Sequence, residues 1–130
     1  MKKRPRRVLC SPLILSVVLP FIVSVKTYPS HVGIRIRETA LPVRPDVAGM
    51  CELLGLDPLY IANEGKLLAF VPAEAADSLL NVMRSNPLGK EACIIGEVLD
   101  GHPGRVILET AIGGSRIVDM LTGEQLPRIC

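Results

Sequence analysis

Residues 45–83 read PDVAGMCELLGLDPLYIANEGKLLAFVPAEAADSLLNVM, and this stretch decides the fold. Pro45 stands where a helix can begin. Val47, Met50, Cys51 and Leu54 then repeat at helical spacing until Gly55 stops the run. Asp57-Pro58 opens another short helical turn, Asn63-Glu64-Gly65 reads as a tight loop, and the apolar run from about Leu67 to Val71 as a strand. After Pro72 a second amphipathic helix carries Ala76, Leu79, Leu80 and Met83 on one face. Helix, strand and helix in such close succession mark a compact domain that mixes both element types.

Working outward, Val32, Ile34 and Ile36 alternate with Gly33, Arg35 and Arg37, the period of a half-buried strand. Downstream, Asn86-Pro87-Leu88-Gly89 is a turn and Cys93 to Leu99 a strand. Asp100 to Gly104 turns the chain, and Arg105 to Thr110 is expected to pair back on that strand as a hairpin. Residues Ile112 to Met120 contain a Gly113-Gly114 break, and the tail from Leu121 to Cys130 lacks a core pattern. The expected core includes Ile34, Ile36, Val47, Leu54, Leu68, Phe70, Leu79, Leu80, Ile94, Ile95, Val98, Val106, Ile107 and Leu108.

The chain has 130 residues, 48% hydrophobic and 22% charged, with 11 Gly and 11 Pro. That is one modest domain, too apolar for disorder and without the Gly-X-Y period of collagen. The net charge of +2 misleads, because five of the 15 basic residues are Lys2, Lys3, Arg4, Arg6 and Arg7. Without them 10 basic residues face 13 acidic ones, a balance of −3, and nothing beyond residue 26 reads as a nucleic-acid-binding surface. Val8 to Val25 carries no charge. With the basic cluster before it, this segment reads as a signal peptide or a marginal membrane span. Pro12 and Pro20 count against a regular span, and no clean cleavage site follows. A third reading sets residues 1–30 outside the fold, with the domain at 31–120 and a flexible tail at 121–130.

The cysteines Cys10, Cys51, Cys93 and Cys130 form no CxxC pair, which argues against a zinc finger or a thioredoxin motif. Cys51 and Cys93 lie on apolar faces and read as small core residues. Cys130 ends the chain after Pro127-Arg128-Ile129, where a tethered thiol can visit more than one site; the plain alternative is an incidental exposed cysteine. His31 and His102 have no visible triad or metal partners and read as surface residues. Glu64, between Asn63 and Gly65, is a loop carboxylate that either faces a site or is ordinary turn chemistry. Gly65-Lys66 fails the P-loop fingerprint, since Tyr60 and Leu67 occupy its first glycine and its Ser/Thr positions. No nucleotide fingerprint and no metal cluster is recognisable, so no metal or cofactor ligand is assigned in this chain.

Pro42-Val43-Arg44-Pro45, CELLGLDPLYIANEGKLLAFVP (Cys51 to Pro72), NPLGKEACIIGEV (Asn86 to Val98) and the ending GEQLPRIC (Gly123 to Cys130) resemble the C-terminal domain of the hydrogenase expression/formation protein HypE family. The resemblance runs from about Val32 to Cys130. It implies an α+β fold of the PurM (aminoimidazole-ribonucleotide synthetase) superfamily: a mixed sheet with helices packed on it, truncated at its N-terminal side, and an extended C-terminal tail. It also implies a chemistry. A carbamoyltransferase, HypF, places a carboxamide on the C-terminal cysteine, here Cys130. ATP, with magnesium, activates the amide oxygen, and removal of an N–H proton leaves a thiocyanate whose cyano group passes to iron on the HypC–HypD complex, for [NiFe]-hydrogenase.

Glu64, within the family-like Asn63-Glu64-Gly65-Lys66, matches the expectation of a general base for that proton. The family's ATP-binding domain, its magnesium carboxylates and its homodimer interface have no counterpart in residues 1–130, nor does its Asp-Pro-Thr-Arg-Gly-Gly helix before Val32. The resemblance thus leaves two functions standing, an ATP-dependent dehydratase and a non-catalytic remnant or carrier tail. It places the protein in the cytoplasm, with a membrane-anchored binding module as the alternative that the apolar N-terminal segment keeps open.

Overall fold

The computed structural model describes residues 6–12, 32–61 and 66–119. Six strands, β1 (Arg6–Pro12), β2 (Gly33–Arg37), β3 (Lys66–Pro72), β4 (Cys93–Leu99), β5 (Val106–Glu109) and β6 (Ser115–Val118), form one mixed sheet in the order β3-β1-β4-β2-β5-β6. Two helices accompany it, α1 (Pro45–Leu54) and α2 (Ala73–Ser85). Pro45 sits in the first turn of α1, and Gly55 ends it with φ 66, a left-handed conformation that costs a glycine little. A 3-10 turn at Pro58–Tyr60 follows, its start capped by the Asp57 carboxylate, which accepts from the Leu59 N–H at 2.9 Å.

The largest difference from the sequence reading is β1. Residues 6–12, set outside the domain by their signal-like composition, lie between β3 and β4 and pair antiparallel with both. Val8 and Leu9 are fully buried. As neighbours on a strand they point to opposite faces, and each anchors a different apolar cluster. Val8 joins Ile34, Ile36, Leu59, Ile95, Val106, Leu108 and Val118, while Leu9 joins Ala76 and Leu80 of α2 and Ala92. The register with β4 shifts between Val8 and Leu9, an irregularity that lets both ends of β1 keep their pairing.

The expected hairpin of β4 with β5 does not form. β2 lies between them, antiparallel to β4 and parallel to β5, with Ile34 opposite Val106. The connection arches over the start of β2: the Gly104 N–H donates to the Val32 carbonyl at 2.9 Å and the Ile34 N–H to the Arg105 carbonyl at 2.9 Å. Gly33 permits this crossing, because a Cβ there would collide with the carbonyl oxygens of Gly101 and His102. The core differs as well: Leu68, Phe70, Leu79, Ile94, Val98 and Ile107 are only partly buried, all but Ile107 packed against the two clusters, and two expected core residues are exposed. Val47 is 39% and Leu54 60% exposed, so only Cys51 of α1 is buried. The helical spacing is real, but the face it defines is largely left open among the described residues.

Candidate functional site

The two residues singled out for chemistry, Glu64 and Cys130, lie outside the described residues, as does His31. Their anchor points are described. The loop carrying Glu64 enters the sheet at Lys66, which is paired with Pro12 at the end of β1. The tail carrying Cys130 leaves from β6, where Val118 is paired with Val106. Following the register from Val118 through Val106, Ile34, Val98 and Arg6 ends at Pro72, so the tail departs at the far end of β3 from Lys66.

That register gives the separation of the two anchors. Five strand spacings make about 24 Å across the sheet and six residues about 20 Å along it, or roughly 31 Å corner to corner.

Cys51 and Cys93 are held in place. Cys51 is 3% exposed on α1. Cys93 is half-buried at the start of β4, where its Sγ donates to the Ala40 carbonyl at 3.4 Å. Burial pushes its thiol pKa above the ordinary value, with Arg84 opposing, so it is a weak nucleophile at neutral pH. His102 is exposed in the turn after β4, with φ 56. Among the described residues no group of three or more His, Cys, Asp or Glu is placed to hold a metal ion, and no helix is long and apolar enough to cross a membrane.

What sequence reasoning missed is a charge ladder. Glu97 on β4 accepts from Arg7 of β1 and from Arg35 of β2, each at 3.2 Å, and Arg35 also meets Glu109 of β5 at 3.3 Å. The alternation of Arg35 with Ile34 and Ile36 was visible, but its partners could be found only from the strand order. On the edge strand β6, Arg116 pairs with Asp57 and so ties the 3-10 turn to the sheet.

Comparison with known proteins agrees with this architecture. Residues 27–109 match the family model described as AIR synthase related protein, C-terminal domain. The chain is 59% identical over 98 residues to carbamoyl dehydratase HypE of Rhodobacter capsulatus, covering 75% of this chain and 29% of the relative. It is 58% identical over 101 residues to carbamoyl dehydratase HypE of Azotobacter vinelandii, covering 78% and 30%. The chain thus spans about 30% of the length of the curated relatives it matches.

Among solved structures, the hydrogenase maturation protein HypE in complex with ATP superposes with a TM-score of 0.73 at 41% identity, over 94% of this chain and 37% of that one. A HypE–HypF complex gives a TM-score of 0.70 at 30% identity, over 90% of this chain and 53% of that one. The structural likeness therefore takes in more of the chain than the family model, which begins after β1. On its sheet, its two helices and these matches, the chain belongs to the AIR synthase related C-terminal domain family and is a homologue of HypE.

Proposed function

We propose that this chain serves hydrogenase maturation as the acceptor domain of a HypE-type protein, with the Cys130 thiolate as the acceptor. The observation that supports it most is the sequence motif Pro127-Arg128-Ile129-Cys130, twelve residues on from the end of β6, in a chain 59% identical over 98 residues to carbamoyl dehydratase HypE.

In this reading a HypF-type carbamoyltransferase presents an activated carbamoyl group. The thiolate attacks its carbonyl carbon, an S–C bond forms, and the activating group leaves. The carboxamide oxygen then takes the terminal phosphoryl group of ATP, releasing ADP and one N–H proton. Loss of the second N–H proton expels phosphate and leaves the S-bound nitrile, for transfer to iron on a HypC–HypD complex. Phosphate leaves far more readily than oxide, which is the reason for ATP.

Glu64 is the base proposed for the N–H proton, acting from the loop that enters β3. The nucleotide and its magnesium are assigned to the remaining portion of a HypE-type protein, since this chain spans about 30% of such relatives. A HypE from the ATP-bound structure's family is the natural donor of that portion, in a homodimer-like association. The cytoplasm, which supplies ATP and carbamoyl phosphate, is the proposed location.

Intact-mass spectrometry tests the reading. The chain is incubated with a HypF-type carbamoyltransferase, carbamoyl phosphate and ATP, beside a Cys130→Ala control. A carboxamide-sized increase confined to chains with Cys130 is expected. A HypE whose own terminal cysteine is replaced by alanine is then added, and loss of one water from the adduct is expected; Glu64→Gln reports whether the base comes from this chain. No increase on Cys130 overturns the acceptor role. A persistent carboxamide after HypE addition reduces the function to that of a carrier.

A further inference from the structure

The register of β1 on β4 places Cys10 directly opposite Cys93. Residues opposed in an antiparallel pair have Cα atoms about 4.5 or 5.5 Å apart, according to whether the pair exchanges hydrogen bonds. Either spacing lies within the window of about 4.4–6.8 Å that a disulfide bridges. Cys51 sits on α1 and belongs to no strand ladder. Of the cysteines in the described elements, only Cys10 and Cys93 are therefore register partners.

We propose that Cys10 and Cys93 are an oxidisable cross-strand pair, a modification site that closes into a disulfide on exchange with a small-molecule disulfide such as oxidised glutathione. One protein thiolate attacks a glutathione sulfur, forming a mixed disulfide and expelling one glutathione thiolate. The second protein thiolate attacks the protein sulfur of that mixed disulfide and expels the other glutathione. The protein gives up two electrons and two protons, and both glutathiones leave reduced. The bond ties β1 to β4 across the 82 residues between them and pins the strand in this register, since a slip of one residue would turn position 10 to the other face. Nothing in this step uses Cys130, so it stands apart from the acceptor reading.

The Cys93 hydrogen bond to Ala40 and its burial keep the reduced pair slow to react. Closure therefore accelerates with rising pH, as the thiolate population grows. In a reducing cytoplasm the pair stays open, and it closes under oxidative conditions.

The test uses the full chain carrying Cys130→Ala, so that the terminal thiol cannot scramble the pairing. After oxidation with oxidised glutathione and alkylation of free thiols, trypsin releases Val8–Lys26 and Glu91–Arg105, each with a single cysteine. These two peptides are expected linked, with loss of two hydrogens, and a thermal midpoint raised by several degrees that returns to its reduced value on reduction. Linkage vanishes in Cys10→Ser and in Cys93→Ser. Linked Cys10–Cys93 exceeds linked Cys51–Cys93 by an order of magnitude or more, because only the first two are opposed in a strand ladder. The proposal is overturned by a mixture of pairings, as an unordered chain gives, and equally by a cooperatively melting chain that remains fully alkylated or stops at the mixed disulfide.

Discussion

β1 and β2 flank β4 on its two sides, both antiparallel to it, and they could hardly be less alike as sequence. β2 alternates, Ile34 and Ile36 inward, Arg35 and Arg37 outward, and sits within the residues that match the family model. β1 runs Val8-Leu9 without alternation and precedes that match. The difference follows from what covers each strand. Beside β2 one face carries charge and stays open, so the pleat is written in the sequence. At β1 the Val8 face meets the main core and the Leu9 face meets α2, so both parities must be apolar. A strand buried on two sides spells the same short apolar run as a signal peptide's middle region.

The comparison breaks most readily by removing one side of it. β3 has β1 as its sole strand neighbour among the described residues. Deleting residues 1–12 is therefore expected to detach β3, uncover Leu80 and Ala92, and abolish the cooperative thermal transition followed by circular dichroism. An unchanged transition in the deleted chain would show that β1 is dispensable and that β3 closes on β4 without it.

Single substitutions sharpen the same question. Leu9→Ala and Ile36→Ala each empty a fully buried site, so each is expected to cost about 2–5 kcal/mol in urea unfolding. Comparable losses make the two strands equal partners in one core. A loss at Ile36 with little at Leu9 would mark β1 as loosely held. Gly33→Ala should follow at about 1–3 kcal/mol, because its Cβ meets the carbonyls of the connection that crosses β2. Its effect should appear as faster amide exchange in β5, since that connection delivers β5 to the far side of β2.

These differences also explain what was legible in the sequence. The helix from Pro45 to its Gly55 stop, the strand at Lys66–Pro72, the helix after it and the strand at Cys93–Leu99 all carry local signals, and all form within a residue or two. Strand order carries no local signal. The β4–β5 hairpin fitted every turn rule, and it fails because β2 fits between them and Gly33 lets the chain pass over. Burial of α1 was overread for a related reason. Spacing shows that Val47, Met50 and Leu54 share a face, but it does not say whether anything covers that face. For the candidate site, motif and resemblance nominate Glu64 and Cys130, which lie outside the described residues, and the sheet register adds only the distance between the strand ends from which their segments run.

The smallest expected effect separates the two flanks most finely. Glu97→Gln removes the central carboxylate charge of the ladder, taking that acceptor charge from Arg7 while Arg35 keeps Glu109. The side chains are a third to just under a half exposed, so water and salt screen the ladder and the loss should stay below about 1 kcal/mol. The loss should also be asymmetric. Amide exchange should quicken in β1, held to β4 by the Arg7 pair, and change less in β2, where Arg35 retains its second partner. Raising the salt concentration should shrink the gap between wild type and variant, because the screened chain already lacks most of that attraction. Equal quickening on both flanks, or an effect indifferent to salt, would mean that Glu97 acts through packing in the strand and not through its charge.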